Sequence, residues 1–317
     1  MKAAIVVPTI REANITKFLE VWRDQFAAHT VIIVEDNPEP SFDIAKAGIK
    51  HFSWKDIDSD LGEHSWIIPR RTDCIRSYGF FKAYYESVDM IVTLDDDCYP
   101  SVPDFLKIHY EKITSPAFSQ AWVSTVEGAA PRGMPYQNIL RECECILNHG
   151  LWNNVPDLDA ITQLANIRFK QPIKHIDQVI PRGFYFPMCG MNIAFDPKIT
   201  PAMYFLLMGQ PTWPFDRFGD IWCGIFIKKI CDHLGYGVKS GNPTVEHQRA
   251  SDVWVNLCKE LPGYQVNETL WKAVDAIVLK TKDGFKGCYA ELSEKLPLTG
   301  QYWDSLKRAM KIWTDLF

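Results

Sequence analysis

The tightest constraint in this chain is Asp89-Met-Ile-Val-Thr-Leu-Asp95-Asp96-Asp97-Cys98-Tyr99-Pro100, where an apolar run ends in three consecutive carboxylates. Such a run fills a buried parallel strand. Adjacent like charges repel, so a chain keeps three at a strand end only where something positive sits opposite them. In open α/β sheets the carboxyl ends of strands are where ligands bind. Side chains alternate along an extended chain, which puts Asp95 and Asp97 on one side and Asp96 on the other. Two carboxylates on one side suit a hard divalent cation such as Mg²⁺ or Mn²⁺, commonly bound together with substrate phosphates. A solvated acidic turn is the plain alternative, and the neighbouring sequence favours the metal–diphosphate site.

Strand and helix signals alternate ahead of that motif. Residues 3–7 form a β-rich run closed by Pro8-Thr9, and 30–34 a second one ending in Glu35-Asp36-Asn37. Between them Ile15, Phe18, Leu19, Trp22 and Phe26 have helical spacing, with Asn14 placed as N-cap. A second amphipathic helix is predicted over 72–85. The pattern predicts an α/β fold, a mostly parallel sheet flanked by helices. Three successive strand ends carry polar groups, as the edge of a nucleotide crevice does. Pro8, Thr9, Arg11, Asp36 and Asn37 are placed to frame base and ribose. Asp36 would accept from ribose hydroxyls or a base edge, or else cap a turn. Arg71 and Arg76, on the helix feeding the acidic strand, could reach phosphates in bidentate fashion. Ordinary surface arginine is the alternative for both, and for Arg70 an equal one. No Gly-x-Gly-x-x-Gly or Walker motif is present, which weighs against NAD and P-loop chemistry.

The 317 residues suffice for one large α/β unit with elaborations. A catalytic unit over 1–250 with a helical C-terminal extension over 251–317 is expected. Net charge is −5 without any Lys/Arg tract, so the chain lacks the electrostatic footprint of a nucleic-acid binder. A phosphate-bearing ligand must then be held by a few placed arginines and a metal. The nine cysteines include no Cys-x-x-Cys pair, and Cys143-x-Cys145 is too closely spaced for a zinc knuckle. Reduced thiols in a soluble, cytoplasmic protein are expected. The N-terminal apolar run is too short for a signal peptide, and that around 202–208 too short for a membrane span. A helix is predicted over 217–234, with Asp216 as a candidate N-cap and Gly235 as its stop. Val245-Glu246-His247 follows a predicted short strand at 237–239. The later aromatics, Trp254, Trp271, Tyr289, Trp303 and Trp313, read as packing or self-association residues, and a homo-oligomer is expected.

Arg70-Arg71-Thr72-Asp73-Cys74-Ile75-Arg76-Ser77-Tyr78-Gly79 leading into Val92-Thr93-Leu94-Asp95-Asp96-Asp97 resembles the nucleotide-sugar half of a GT-A glycosyltransferase. Further strings narrow the resemblance. They are His149-Gly150-Leu151-Trp152, Pro156-Asp157-x-Asp159-Ala160, Phe186-Pro187-Met188-Cys189-Gly190-Met191-Asn192, Pro201-Ala202-Met203-Tyr204-Phe205 and Ile230-Cys231-Asp232-His233-Leu234-Gly235. In this order they resemble the reversibly glycosylated polypeptides of plants, the UDP-arabinopyranose mutases. The segment 122–148 fits less well and the last fifty residues look unfamiliar, as in a distant, microbial member.

The resemblance implies a flavin-independent enzyme that interconverts pyranose and furanose forms of a nucleotide-bound sugar, UDP-arabinose-like or a GDP-sugar such as GDP-fucose. It implies Mn²⁺ or Mg²⁺ on Asp95 and Asp97, with the late His247 completing the shell; without the family context His247 reads as a surface histidine. Asp96 would sit near the ribose or sugar, Asp220 would face the sugar, and Gly190 and Asn192 would line its pocket. In the family an Arg followed by Glu becomes reversibly glycosylated. Arg141-Glu142 is the corresponding pair, with its spacing to His149 slightly shifted, and Arg132 is a weaker candidate. A protonated guanidinium is a poor nucleophile, so the alternative role for Arg141 is to steady the diphosphate. The competing class is a GT-A glycosyltransferase that passes the sugar to an external acceptor; a silent scaffold partnering another family member is a third.

Overall fold

Apolar runs build the central sheet. Strands β1 (Ala3–Thr9), β2 (Thr30–Glu35) and β4 (Met90–Leu94) are almost wholly buried, as strands covered by helices on both faces must be. The structure, a computed structural model, describes residues 1–44, 48–123, 127, 132–135, 140–165, 175–248 and 251–317. With β3 (Ile49–Phe52), β5 (Cys98–Pro100), β6 (Cys145–Asn154), β7 (Asn192–Phe195) and β8 (Gly237–His247), the order across the sheet is β3-β2-β1-β4-β7-β6-β8-β5. The first four are mutually parallel. β7 runs antiparallel between β4 and β6, and β8 is parallel to β6. β5 closes the edge antiparallel to β8. The expected mostly parallel α/β sheet is therefore present, and its second half has an inserted reverse strand.

Alternation along β1 assigns its residues to two layers. Ala3, Ile5 and Val7 join α1 (Glu12–Val21) and α3 (Phe105–Thr114) in one core through Phe18, Trp22 and Phe105. Ala4 and Val6 face α2 (Arg76–Tyr84), α4 (Gly219–Leu234) and the C-terminal helices. Those helices are α5 (Val253–Asp275), α6 (Gly284–Lys295) and α7 (Gln301–Asp315). Tyr289, Trp303 and Trp313 belong to this core, and Trp313 stacks on Tyr204 at 5.3 Å between ring centroids. Trp254 is exposed instead. Close approach of α2 to the sheet depends on Gly79, where a Cβ would stand 2.3 Å from Val6 Cγ1.

Helix starts differ from expectation, and the differences shape the site. α1 begins at Glu12, so Asn14 is not its cap. The helix expected from 72 begins at Arg76, after a short 3₁₀ turn, Asp73–Ile75, which Thr72 caps by accepting from Cys74 N. Arg71 thus precedes the helix in a left-handed conformation, φ 60°. α4 begins at Gly219 rather than 217, with Phe218 as N-cap, so Asp216 does not cap it. Gly235 ends α4 as expected, at φ 88°. All nine cysteines are free thiols. Among the described residues, no helix is long and apolar enough to cross a membrane.

Candidate active site

The carboxyl ends of β1, β2 and β4 open onto one crevice, and the three aspartates after β4 part ways there. Asp95–Asp97 forms a turn rather than an extended strand, closed by Cys98 N donating to Asp95 O. The sidedness expected from alternation still holds, because Asp96 turns back into the protein. Its carboxylate accepts from Thr9 Oγ1 at 2.7 Å, from the Arg11 guanidinium and from Asn14 Nδ2 at 3.4 Å. Asp96 is 2% exposed and anchors β4 to β1, and it also lines the first chamber.

Asp95 is held by Arg76, whose Nη2 donates to Asp95 Oδ1 at 2.5 Å. Burial opposes the Asp95 carboxylate, yet the charge and hydrogen bond of Arg76 keep it below the ordinary range, helped by His247 and Arg11. Arg76 also donates to Thr93 Oγ1 and to the carbonyls of Gly190 and Asp73. At 2% exposed, with four of its five N–H donors bonded, Arg76 organises the site from below. It lines the first and second chambers, and a bidentate grip on phosphate would require one of these bonds to break.

Asp97 is left in tension. Burial, then the Asp95 charge, push its carboxyl up to about 6 against the pull of His247 and Arg11. Its Oδ1 is buried without a hydrogen-bond partner, and His247 Nε2 stands 3.8 Å away. His247 Nδ1 lies 2.8 Å from Val155 O. A carbonyl only accepts, so Nδ1 carries a proton and Nε2 is the ring atom turned toward Asp97. A metal-binding histidine is typically oriented this way.

Among the described residues, no group of three or more His, Cys, Asp or Glu side chains converges as a ready-made metal site. The residues nonetheless fit a divalent cation. An orphaned carboxylate oxygen and an imidazole nitrogen face the same space, and Asp95 could join them by leaving Arg76. Two protein ligands leave the remaining positions to water and phosphate oxygens, as is common for Mg²⁺-type sites.

Three connected chambers follow the crevice. The first is bounded by Pro8, Thr9, Arg11, Asp36, Arg71 and Lys259. Arg71 lies 5.0 Å from the Trp54 ring centroid, and Trp54 Nε1 donates to Asp36 Oδ1 at 2.6 Å. Burial holds the Asp36 carboxyl above its ordinary range. The second chamber contains Asp95, Asp97, His247 and Ser251. Asp157, Cys189, Asp220 and Trp152 wall the third. Arg217 borders all three. It stands just before α4 at φ 65°, and its Nε donates to Glu260 Oε1 at 2.9 Å.

Asp220 sits in the first turn of α4. Its Oδ2 accepts from Gly190 N at 2.8 Å, and burial followed by the Asp73 charge pushes it up to about 7. Asp157 accepts from the Cys189 thiol at 2.7 Å. A separate cleft at the far end of α4 is lined by Arg182, Lys228, Lys229, Asp232 and His233. Its Lys228 is paired with Asp232 at 2.6 Å.

Several expectations are corrected. Asn37 donates to Glu35 Oε1 and Ser41 Oγ, holding the turn after β2 instead of framing a base. Asn192 is fully buried and donates to Leu151 O and Pro243 O, so it ties strands together rather than lining a sugar pocket. Gly190 does border the second chamber. A Cβ there would stand 2.9 Å from the Phe205 ring and 3.3 Å from the Arg76 guanidinium, so the glycine also permits the Arg76 clamp.

Arg141 is not brought to the crevice. It is exposed on a two-stranded ribbon, paired with Ser119, just ahead of β6. β6 reaches the site from His149 and Trp152, which line the third chamber, to Asn154, which donates to His247 O at 3.2 Å. Sequence reasoning missed Asp73, Asp157 and Arg217. Asp157 lay within a string carrying the resemblance, and Arg217 was passed over as part of a helix.

A mostly parallel sheet with a carboxylate-bearing strand end opening on a polar crevice defines an α/β protein with its candidate site at the strand ends. More particularly, the chain belongs to the reversibly glycosylated polypeptide family, whose pattern it matches over residues 2–317. That span includes the last fifty residues, which had looked unfamiliar. It is 38% identical to a probable UDP-arabinopyranose mutase 2 of Solanum tuberosum, covering 98% of this chain and 88% of the relative. Identity is also 38% to UDP-arabinopyranose mutase 1 of Arabidopsis thaliana, covering 98% and 90%. These relatives are plant proteins and lend no support to a microbial placement. A solved mannosyltransferase from Pyrobaculum calidifontis, in complex with GDP-Man and Mn²⁺, aligns over 99% of this chain and 69% of its own, at 11% identity and TM-score 0.40.

Proposed function

We propose that this chain is a metal-dependent nucleotide-sugar mutase that interconverts the pyranose and furanose forms of a UDP-linked pentose such as arabinose. The observation that carries it is the orphaned Asp97 Oδ1 facing His247 Nε2 at 3.8 Å where the chambers meet. Family membership supplies the reaction class, and the names of the plant relatives favour UDP over GDP.

In this reading the first chamber takes the nucleoside, with Asp36 and the Arg71–Trp54 pair at its wall. The diphosphate lies over Asp97 and His247, and the sugar enters the third chamber beside Asp220. A divalent cation bound to Asp97 and His247 would supply Lewis-acid stabilisation of the charge on the departing diphosphate. Arg11 and Arg217 add fixed positive charge along the same path. Arg76 keeps Asp95 ionised and in place. Arg141, on its exposed ribbon, is assigned no part in capturing the sugar.

The test is direct. Purified protein with Mn²⁺ is incubated with UDP-arabinopyranose, with GDP-sugars as comparison, and anomeric signals are followed by NMR. Furanose formed from the nucleotide-sugar alone supports the mutase. Sugar loss that occurs only when an external acceptor is added would replace it with a glycosyltransferase.

A further inference from the structure

The role of Asp220 rests on the mutase reading, which sets a strict chemical balance. In the net reaction the C1–O5 bond breaks, the C1–O4 bond forms, and one proton leaves O4 and arrives on O5. Nothing is oxidised or reduced, and the diphosphate is unchanged at the end. A group able to accept this proton and return it must stand beside the ring and exchange protons near neutral pH.

Asp220 is placed for this. It borders both the second chamber, with Asp97 and His247, and the third, so its carboxyl lies between the diphosphate and sugar positions. Helix α4 fixes it, with Oδ1 accepting from Ile221 N and Oδ2 from Gly190 N, both at 2.8 Å. Its surroundings are crowded with charge. Asp73 and Arg76 act from the turn and helix below, and Asp157 from the segment after β6. Cys189 faces it from the segment before β7, Cys74 and Cys223 lie behind, and Arg217 stands across the chamber. Two carboxylates facing a third make its ionised form costly. Asp157 is itself held, because the Cys189 thiol donates to its Oδ2.

We propose that Asp220 is the proton carrier of ring interconversion, accepting the proton of the hydroxyl that closes the new ring and returning it to the oxygen released from the old one. Asp157, fixed by Cys189, is the positioning carboxylate that acts through Asp220. Neither residue is used in holding the metal or the nucleoside.

Three proteins test this, each checked first for binding of UDP with Mn²⁺. Wild type must form furanose from UDP-arabinopyranose; if it does not, the mutase reading falls before the proton carrier is reached. Asp220→Asn should bind UDP as wild type does and lose about a hundredfold or more of kcat, the scale of acid–base catalysis. A smaller loss overturns the proposal. Asp157→Asn removes a negative charge facing Asp220 and should make its proton easier to lose. The acid limb of kcat against pH should then move to lower pH by roughly half a unit or more. A merely structural role would lower activity without moving that limb, so an unmoved limb also overturns the proposal. If Asp220→Asn fails the UDP check, the Asp157→Asn profile decides. If Asp157→Asn fails it, Asp73→Asn, which removes the other facing charge, is read in the same way.

Discussion

At the scale of single residues, Asp97 shows how a functional site opposes stability. Its carboxyl is raised from an ordinary value of 3.8 to about 6. A carboxyl that holds its proton more tightly when folded favours the fold at low pH. That contribution is lost as pH rises through about 6, where the folded protein must carry a charge the unfolded chain bears at no cost. Asp97→Asn should therefore raise the thermal stability of chelated protein at pH 8, by roughly 1–3 kcal/mol, and change little at pH 4. Melting curves of both proteins in EDTA at the two pH values check this. Equal melting at pH 8 would mean that Asp97 is not strained. The same substitution should abolish turnover, because it removes a metal carboxylate. The acidic motif itself was legible, since three aspartates after an apolar run need explaining. The division of labour among them was not. Which aspartate Arg11 holds most closely, which meets Arg76 and which keeps an orphaned oxygen depends on a turn that brings in Thr9, Asn14 and His247 from distant parts of the chain.

At the scale of elements, local patterns gave the strands of the first half and failed where tertiary contacts replace local ones. β8 reads as a short strand because Gly241 and Pro243 interrupt its pattern, yet it continues from Gly237 to His247 across a register shift between Gly241 and Thr244. Neighbouring side chains carry it over the gap. Asn148 Nδ2 donates to Asn242 O and Asn192 Nδ2 to Pro243 O, while His109 bonds both asparagines. This buried network sets the path of the strand that delivers His247. Asn192→Ala would leave Leu151 O and Pro243 O without that donor and His109 Nε2 without its partner. A loss of about 2–4 kcal/mol is expected, since each orphaned buried polar group costs roughly 1–3 kcal/mol. Urea unfolding checks it, and a loss under 1 kcal/mol would show that the network is dispensable. The late starts of α2 and α4 have a related cause. Arg71 and Arg217 hold left-handed backbone that no propensity scale favours for arginine, and both border the crevice.

At the scale of the whole molecule, the division expected at 250 meets a shared interior. Leu270, Val274, Tyr289, Leu306 and Trp313 lie in one apolar cluster with Phe205, Trp222 and Val6. Glu260 of α5 also holds Arg217 and accepts from Ala160 N at 2.7 Å. We propose that residues 251–317 complete the catalytic unit, and a chain ending at 250 should not give a soluble, cooperatively melting protein. A cooperative melt from that fragment would restore an independent 1–250 unit. The helical content of this segment was legible from its spacing, but its role in the core was not, because contacts across the chain leave no local signature.

The crevice makes a further demand on the molecule as a whole. Two committed protein ligands, Asp97 and His247, make a weak metal site, and Asp95 is engaged by Arg76. The first chamber, for its part, carries the carboxylates Asp36 and Asp96 beside its cations, so a diphosphate alone meets mixed charge. Each ligand therefore lacks what the other brings: phosphate oxygens for the cation, and positive charge for the diphosphate. Linkage requires that the gain be reciprocal. Calorimetric titration of Mn²⁺ should show affinity rising at least about tenfold with saturating UDP, and titration of UDP the same factor with saturating Mn²⁺. His247→Ala should reduce both factors together, while Arg71→Ala should weaken UDP with and without metal alike. Tight Mn²⁺ binding without nucleotide, unaffected by UDP, would mean that the protein closes the metal shell by itself and that Asp95 does leave Arg76.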